Sequence, residues 1–288
     1  MSKKLIIVVG ATASGKTAHA ITLALRHHTE IISCDSRQCY RELNIGVARP
    51  TPSELAMVPH HFIACRSVLQ PYNIYEYEQD AMSLLNRLFE CHDVVVAVGG
   101  SGLYVEALRS GVAVLPDPAP GLRSLLQSQL EQEGIGSLQR QLLQLDPDYY
   151  HQVDLNNPIR LQRALEVSIT AGKPYSQIIA SQTRNERPFE VELEMVNRTP
   201  DELRTRINLR VDDMISRGLQ QEVESVWHLQ QLNTLQTVGY REFFAYPSPT
   251  DAATHLDDIV NQIKLATWHY AKKQLTWFRK KMQASGNF

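Results

Sequence analysis

Gly10-Ala11-Thr12-Ala13-Ser14-Gly15-Lys16-Thr17 matches G-x-x-x-x-G-K-[ST] in full, and it stands between a short apolar run, Leu5 to Val9, and a helical stretch from Lys16 to about His27. A strand that breaks into such a loop and resumes as a helix aims backbone N–H groups and a positive helix end at one spot, which makes a polyphosphate cradle. Lys16 adds a point charge there, and the Thr17 hydroxyl can ligate Mg²⁺. A second strand, Glu30 to Cys34, follows, and a helical pattern from about Tyr75 to Cys91 leads into a third, Val94 to Val98. Alternating strands and helices predict an α/β fold: a P-loop NTPase-like parallel sheet flanked by helices, with ligands bound beyond the carboxyl ends of the strands.

From about Pro116 to Ile179 the pattern becomes Leu/Gln-rich and helical, with no convincing strand. This predicts a small all-helical insertion domain, 116–184, within a core made of 1–115 and 185–288. Val191 to Asn197 reads as a strand returning the chain to the sheet. Thr199-Pro200-Asp201-Glu202 then has the order of a capped helix start, and that helix carries Arg204, Arg206 and Arg210.

Lys+Arg 29 against Asp+Glu 31 leaves a net charge of −2 over 288 residues, so a polyanion partner has to be held by local patches. One such patch is the last stretch: after Asp258 there is no acid, while Lys264, Lys272, Lys273, Arg279, Lys280 and Lys281 are basic. Apolar runs fall far short of the ~20 residues that span a bilayer, and the start, Met1-Ser2-Lys3-Lys4, lacks the features of a secretory signal. Cys34, Cys39, Cys65 and Cys91 are too few and too unevenly spaced for a disulfide scaffold or a zinc site. Reduced thiols in a cytoplasmic protein are expected, with a monomer as the default state.

P-loop proteins that hydrolyse or transfer phosphate commonly add an acid at the end of a later strand. Here the third strand ends Val98-Gly99-Gly100, and Asp93 lies at its wrong end. The strand-end carboxylate is Asp35, which fits a metal ligand, a general base acting beside the phosphates, or an Asp capping its own turn. Gly99-Gly100-Ser101-Gly102 allows close approach of backbone to a ligand and offers the Ser101 hydroxyl, although a Gly-Gly turn into a helix is also ordinary.

Taken in order, these motifs resemble the tRNA dimethylallyltransferases (tRNA isopentenyltransferases). The resemblance runs nearly end to end. It includes the P-loop, Asp35-Ser36-Arg37-Gln38-Cys39-Tyr40, Gly46-Val47-Ala48-Arg49-Pro50 and Val58-Pro59-His60-His61. Later come Val98 to Tyr104, Arg163 to Val167, Val238-Gly239-Tyr240-Arg241-Glu242 and Tyr270 to Arg279.

The resemblance implies transfer of a dimethylallyl group from dimethylallyl diphosphate to N6 of the adenosine 3′-adjacent to the anticodon. The substrates would be tRNAs reading codons that begin with U, and the products N6-(dimethylallyl)adenosine and diphosphate. It implies that Gly10, Ala11, Thr12, Ala13, Ser14, Gly15, Lys16 and Thr17 hold the donor's diphosphate, with Mg²⁺ on Thr17. Asp35 would be the base, Arg210 rather than Arg206 the diphosphate contact, and Ser101 would stand where the family has a threonine near the reacting atoms. For tRNA it brings in Asp35, Ser36, Arg37, Gln38, Ser101 and, from the insertion, Arg123, Ile159, Arg160, Leu161, Gln162 and Arg163. No membrane and no obligate protein partner are expected.

Three positions depart from the family pattern: Ala11 for proline, Val47 for threonine and Arg49 for lysine. None removes a group assigned to chemistry. His60 and His61 are expected to be structural, and Trp268, Trp277 and Phe278 to be core residues. The competing readings are an adenylate isopentenyltransferase acting on free nucleotide, which would not need the insertion or the basic last helix, and a small-molecule P-loop kinase or nucleotide-gated nucleic-acid binder.

Overall fold

A computed structural model describes residues 2–70, 72–181 and 186–283. Five parallel strands, β1 (Lys4–Val9), β2 (Ile31–Ser33), β3 (His60–His61), β4 (Val94–Val98) and β5 (Glu190–Met195), form one sheet in the order β3-β2-β4-β1-β5. β1 and β4 are almost wholly buried, as strands covered by helices on both faces must be, and that burial explains their unbroken apolar runs. β2 is shorter than expected. β3 was not anticipated, because two residues carry no period. It makes the strand expected as third the fourth in chain order.

Register places the site. Ser33 lies beside Val98, and Val98 beside Val8, so β2, β4 and β1 end in one row. The loops opening at Cys34, Gly99 and Gly10 therefore leave the sheet level with one another.

The helices of this unit are α1 (Lys16–Arg26), α2 (Pro52–Met57), α3 (Ile74–Cys91) and α4 (Gly102–Ser110), then, after the insertion, α10 (Pro200–Ser216), α11 (Leu219–Ser225), α12 (Arg241–Phe244), α13 (Pro249–Thr254) and α14 (Leu256–Gln283). The Thr199–Glu202 capping box forms as its spacing suggested, with Pro200 in the first turn of α10. The inward stripe of α14, Ile259, Ile263, Ala271, Gln274, Phe278 and Met282, keeps helical spacing and contains one polar residue. Phe278 is core as expected, while Trp268 and Trp277 are half-buried.

Met1–Gly111 with Glu186–Phe288 is one compact unit and Val112–Asn185 another. The expected boundary at 184/185 lies outside the described residues. The second unit is built from α5 (Leu122–Glu133), α6 (Ile135–Leu145), α7 (Pro147–Tyr150), α8 (Pro158–Ala171) and α9 (Tyr175–Ala180), around Leu122, Leu126, Leu138, Leu142, Leu161 and Leu165. Among the described residues no helix is long and apolar enough to cross a membrane.

Thr199 secures the first turn of the helix that carries the arginines described below. Thr199→Ala is expected to cost about 1 kcal/mol in urea denaturation, with a smaller loss for Thr199→Asn, which keeps a cap acceptor.

Candidate active site

The P-loop wraps the start of α1. Gly15 is the N-cap at φ 98°, a left-handed conformation that glycine adopts without strain. Of the eight motif residues, Thr12, Ala13, Gly15, Lys16 and Thr17 line a chamber of about 350 Å³. Gly10, Ala11 and Ser14 are not among the residues that line it. A side chain at Gly10 would meet the Val196 carbonyl at 2.7 Å, so this glycine answers to the strand beside it. Ala11, fully buried, packs with Leu203, Ile207 and Ala271, so the position where the family has proline is filled by core contacts.

Three arginines run along this loop. Arg198 Nε donates to the Ser14 carbonyl at 3.1 Å, Arg206 Nε to the Ala13 carbonyl at 2.6 Å, and Arg210 Nη1 to Thr12 Oγ1 at 3.3 Å. Lys16 Nζ folds back onto the Ala11 carbonyl at 2.6 Å. Burial, reinforced by the Arg210 charge and opposed by Asp35, lowers the Lys16 pKa to about 7. Burial, and then Arg206, holds Arg210 below its ordinary value. The chamber is thus a concentration of poorly hydrated cations, the environment that an anion relieves.

Against this chamber lies a second cavity of about 320 Å³, lined by Ser36, Arg37, Ser101, Val211, Val238 and Ile263 among others. Thr12, Asp35, Arg210 and Tyr270 line both. Arg206 lines the chamber alone, so of the two candidate arginines only Arg210 faces both spaces. Asp35 Oδ1 accepts from the backbone N–H of Arg37 at 2.9 Å and of Gln38 at 3.3 Å. The self-capping turn is therefore real, and it uses one oxygen. Oδ2 has no protein hydrogen bond among the described residues. Ser101 Oγ accepts from the Ser36 backbone N–H at 3.1 Å, which ties the loop after β4 to the loop after β2. The Tyr270 hydroxyl faces Ser101 and Gln274; burial, and then the Asp35 charge, pushes its pKa up to about 12.

Gln274, which sequence reasoning quoted within a motif but gave no role, closes the arrangement. Its Oε1 accepts from Thr12 N–H at 2.8 Å and its Nε2 donates to the Gly100 carbonyl at 2.8 Å. A side chain at Gly100 would meet that amide at 2.3 Å, and one at Gly102 would meet the Trp277 ring at 2.8 Å. These glycines make room for α14, and Gly100 also lines the chamber. Gln38, expected at tRNA, is also engaged within the protein: its Nε2 donates to the carbonyls of Val47 at 3.3 Å and Ala48 at 3.0 Å.

The 44–48 turn that walls both cavities is held by one carboxylate. Glu222 accepts from the N–H groups of Asn44 at 3.2 Å, Ile45 at 2.7 Å and Gly46 at 2.9 Å, and from the Tyr240 hydroxyl at 2.5 Å. Tyr240 in turn occupies the space a side chain at Gly46 would need, with ring carbon Cε2 2.5 Å from it. Arg49 Nη2 reaches the carbonyls of Tyr40 at 2.8 Å, Arg41 at 3.2 Å and Leu43. His60 is structural in part: Nδ1 lies 2.7 Å from the Val58 carbonyl, while its Nε2, buried in the chamber wall, has no hydrogen-bond partner among the described residues.

In the helical unit, Arg123 makes a bidentate pair with Glu166 at 2.8 and 3.1 Å, and Arg163 reaches the same carboxylate at 3.3 Å. Gln162 donates to Gln127, while Ile159 and Arg160 stand exposed. Leu161 does not fit the expected tRNA surface: its side chain is fully buried in the core of that unit.

Residues 38–281 match a family model described as IPP transferase. The chain is 44% identical over 280 residues to a tRNA dimethylallyltransferase of Christiangramia forsetii, covering 97% of this chain and 91% of that protein. It is 42% identical over 276 residues to tRNA dimethylallyltransferase 1 of Bacteroides thetaiotaomicron, covering 96% and 88%. Among solved structures, a eukaryotic dimethylallyltransferase acting on tRNA matches with a TM-score of 0.80 at 25% identity, over 96% of this chain and 70% of that one. The full-length tRNA isopentenylpyrophosphate transferase of Bacillus halodurans matches at 0.66 and 31% identity, over 96% and 87%.

Two outcomes follow from this geometry. Gln274→Leu leaves the Thr12 N–H and the Gly100 carbonyl without their partner, and should cost about 2 kcal/mol or more in denaturant unfolding; unchanged stability would show that the bridge is not needed. For Lys16 the sign runs toward proton uptake: near pH 8 it is mostly neutral in the free protein, and a bound diphosphate favours its charged form. Calorimetry of dimethylallyl diphosphate binding in buffers of different ionisation enthalpy should register uptake approaching one proton, roughly, and Lys16→Met should abolish it.

Proposed function

This chain belongs to the IPP transferase family, the tRNA dimethylallyltransferases, and is a tRNA-prenylating transferase; from that premise we propose how its residues divide the reaction. Dimethylallyl diphosphate sits with its diphosphate in the P-loop chamber and its prenyl carbon at the wall shared with the second cavity. The target adenine, on the 3′ side of the anticodon in tRNAs that read codons beginning with U, enters from the cavity side. The observation that carries this reading is that Asp35, Arg210 and Thr12 line both spaces at once.

An exocyclic amine is a weak nucleophile, because its lone pair is delocalised into the ring. Asp35 Oδ2, without a hydrogen-bond partner among the described residues while Oδ1 keeps the turn, accepts the N6 proton as the C–N bond forms and the C–O bond to diphosphate breaks. Lys16, Arg210 and the N-terminus of α1 face the charge that accumulates on the departing diphosphate, so their stabilisation is greatest where the barrier lies. Arg206 and Arg198 keep the loop carbonyls turned away from that charge. Ser101, linked to Ser36, holds the cavity side of the wall in place.

Mg²⁺ is part of the proposal. Among the described residues no three His, Cys, Asp or Glu side chains gather as a metal cage. The donor the P-loop offers is the Thr17 hydroxyl on the chamber wall, which suits an ion that completes its shell with phosphate oxygens and water. When bound, it would add positive charge to the leaving group. A cytoplasmic location accords with a tRNA substrate.

The test pairs an assay with a variant. Labelled dimethylallyl diphosphate, offered with unmodified tRNA, AMP or ATP, should label the tRNA; label in AMP alone, or ATP turnover without prenyl transfer, would overturn the reading. Asp35→Asn keeps an acceptor for the Arg37 and Gln38 N–H groups while removing the base. Turnover should fall about 10²–10⁴-fold with tRNA affinity close to wild type, and retention of full turnover would remove Asp35 from the role.

A further inference from the structure

Just past the Asp35 loop, the backbone at Tyr40 pairs in parallel with that at Arg66. Arg66 N–H donates to the Cys39 carbonyl at 2.9 Å, Arg41 N–H to the Arg66 carbonyl at 2.8 Å, and Ala64 N–H to the Gln38 carbonyl at 2.9 Å. Cys39 and Cys65, one residue before that pair on each side, are therefore neighbours across it. Paired strands lie about 4.8 Å apart, inside the Cα separation of about 4.4–6.8 Å that a disulfide spans. Both residues are free thiols. Burial, and after it the charge of Cys65, pushes the Cys39 thiol up to about 12, so the two sulfurs also sense each other.

The two differ in access. Cys39 is 1% exposed, in the core with Tyr40, Leu43 and Val68, and its Sγ donates to the Ser36 carbonyl at 3.9 Å. Cys65 is exposed, and it lines a concavity of about 340 Å³ together with Arg66 and Arg87. Between the two cysteines run the 44–48 turn, α2 and β3. A bond between their sulfurs would fasten both ends of the stretch that walls the two cavities.

We propose that Cys39 and Cys65 form a reversible thiol switch, closed by a low-molecular-weight disulfide that carries carboxylates and enters beside Arg66 and Arg87. The Cys65 sulfur attacks the oxidant's S–S bond, giving a mixed disulfide and releasing one thiol. The Cys39 sulfur then attacks Cys65 and releases the second. Two protein thiols are oxidised, one small disulfide is reduced, and both protein protons pass to the released thiolates. The raised pKa of Cys39 keeps its thiolate scarce near neutral pH, so closure is slow there and quickens as pH rises. In a reducing compartment the pair stays open. Closing it turns the Cys39 sulfur away from the Ser36 carbonyl, next to the Ser36 N–H that holds Ser101. The crosslinked protein is accordingly more heat-stable and slower.

The test uses the reduced full chain, freed of reductant and incubated with oxidised glutathione at mildly alkaline pH. Its intact mass should fall by two hydrogen atoms, and peptide mapping should join Cys39 to Cys65. The melting midpoint should rise by about 5 °C, and prenyl transfer to tRNA should fall roughly threefold, both returning with dithiothreitol. Cys65→Ser should lose the crosslink and keep its reduced-state turnover in oxidant, while Cys91→Ser, at the C-terminal end of α3, should behave as wild type. A glutathione adduct alone, or a crosslink to another cysteine or to a second copy, would overturn the switch. Full turnover or a lowered melting midpoint in the crosslinked protein would overturn it as well.

Discussion

The site depends on one amide. Gln274 accepts from the P-loop at Thr12 and donates to the loop after β4 at Gly100, so two strand ends that the sheet places level are locked together by a residue from the last helix. The sheet alone cannot do this, because its hydrogen bonds stop where the strands stop. Beyond that row, the relative position of the P-loop and the Ser101 loop is set by side chains. Gln274 suits the purpose because one planar group offers both an acceptor and a donor, each of which meets a buried backbone partner.

A second clamp does the same for the opposite wall. Glu222 gathers three consecutive backbone N–H groups and the Tyr240 hydroxyl, while Tyr240 fills the space left by Gly46. Two motifs far apart in the chain, Gly46 to Pro50 and Val238 to Glu242, turn out to be parts of one contact. Together they hold Val47 and Ala48, which line both cavities.

How much of this was legible in the sequence follows from the range of the interactions. The P-loop, the Asp35 strand end and the Thr199 cap are written in consecutive residues, and each lies where its local pattern put it. β3 escaped because two residues cannot show alternation. Gln274 and Arg198 escaped because their partners are 262 and 184 residues away, and a lone glutamine on an amphipathic helix has the same local signature whether it faces water or a buried amide. The glycines of Gly99-Gly100-Ser101-Gly102 were read as space for a ligand, whereas Gln274 and Trp277 account for two of them. Leu161 was carried along with its charged neighbours, although helical spacing turns it inward to join Leu138 and Leu142.

The position of that amide along the chain has a consequence for synthesis. Every motif that identifies the cradle, from Gly10 to Thr17, has been made, and β1 and β4 can pair, long before residue 274 leaves the ribosome. During that interval the nascent chain carries a phosphate loop whose Thr12 N–H has no intramolecular partner. A product truncated within α14 ahead of Gln274 would keep the P-loop motif while lacking the side chain that joins the P-loop to the loop after β4. The two loops therefore gain this bridge only once α14 has been made through Gln274.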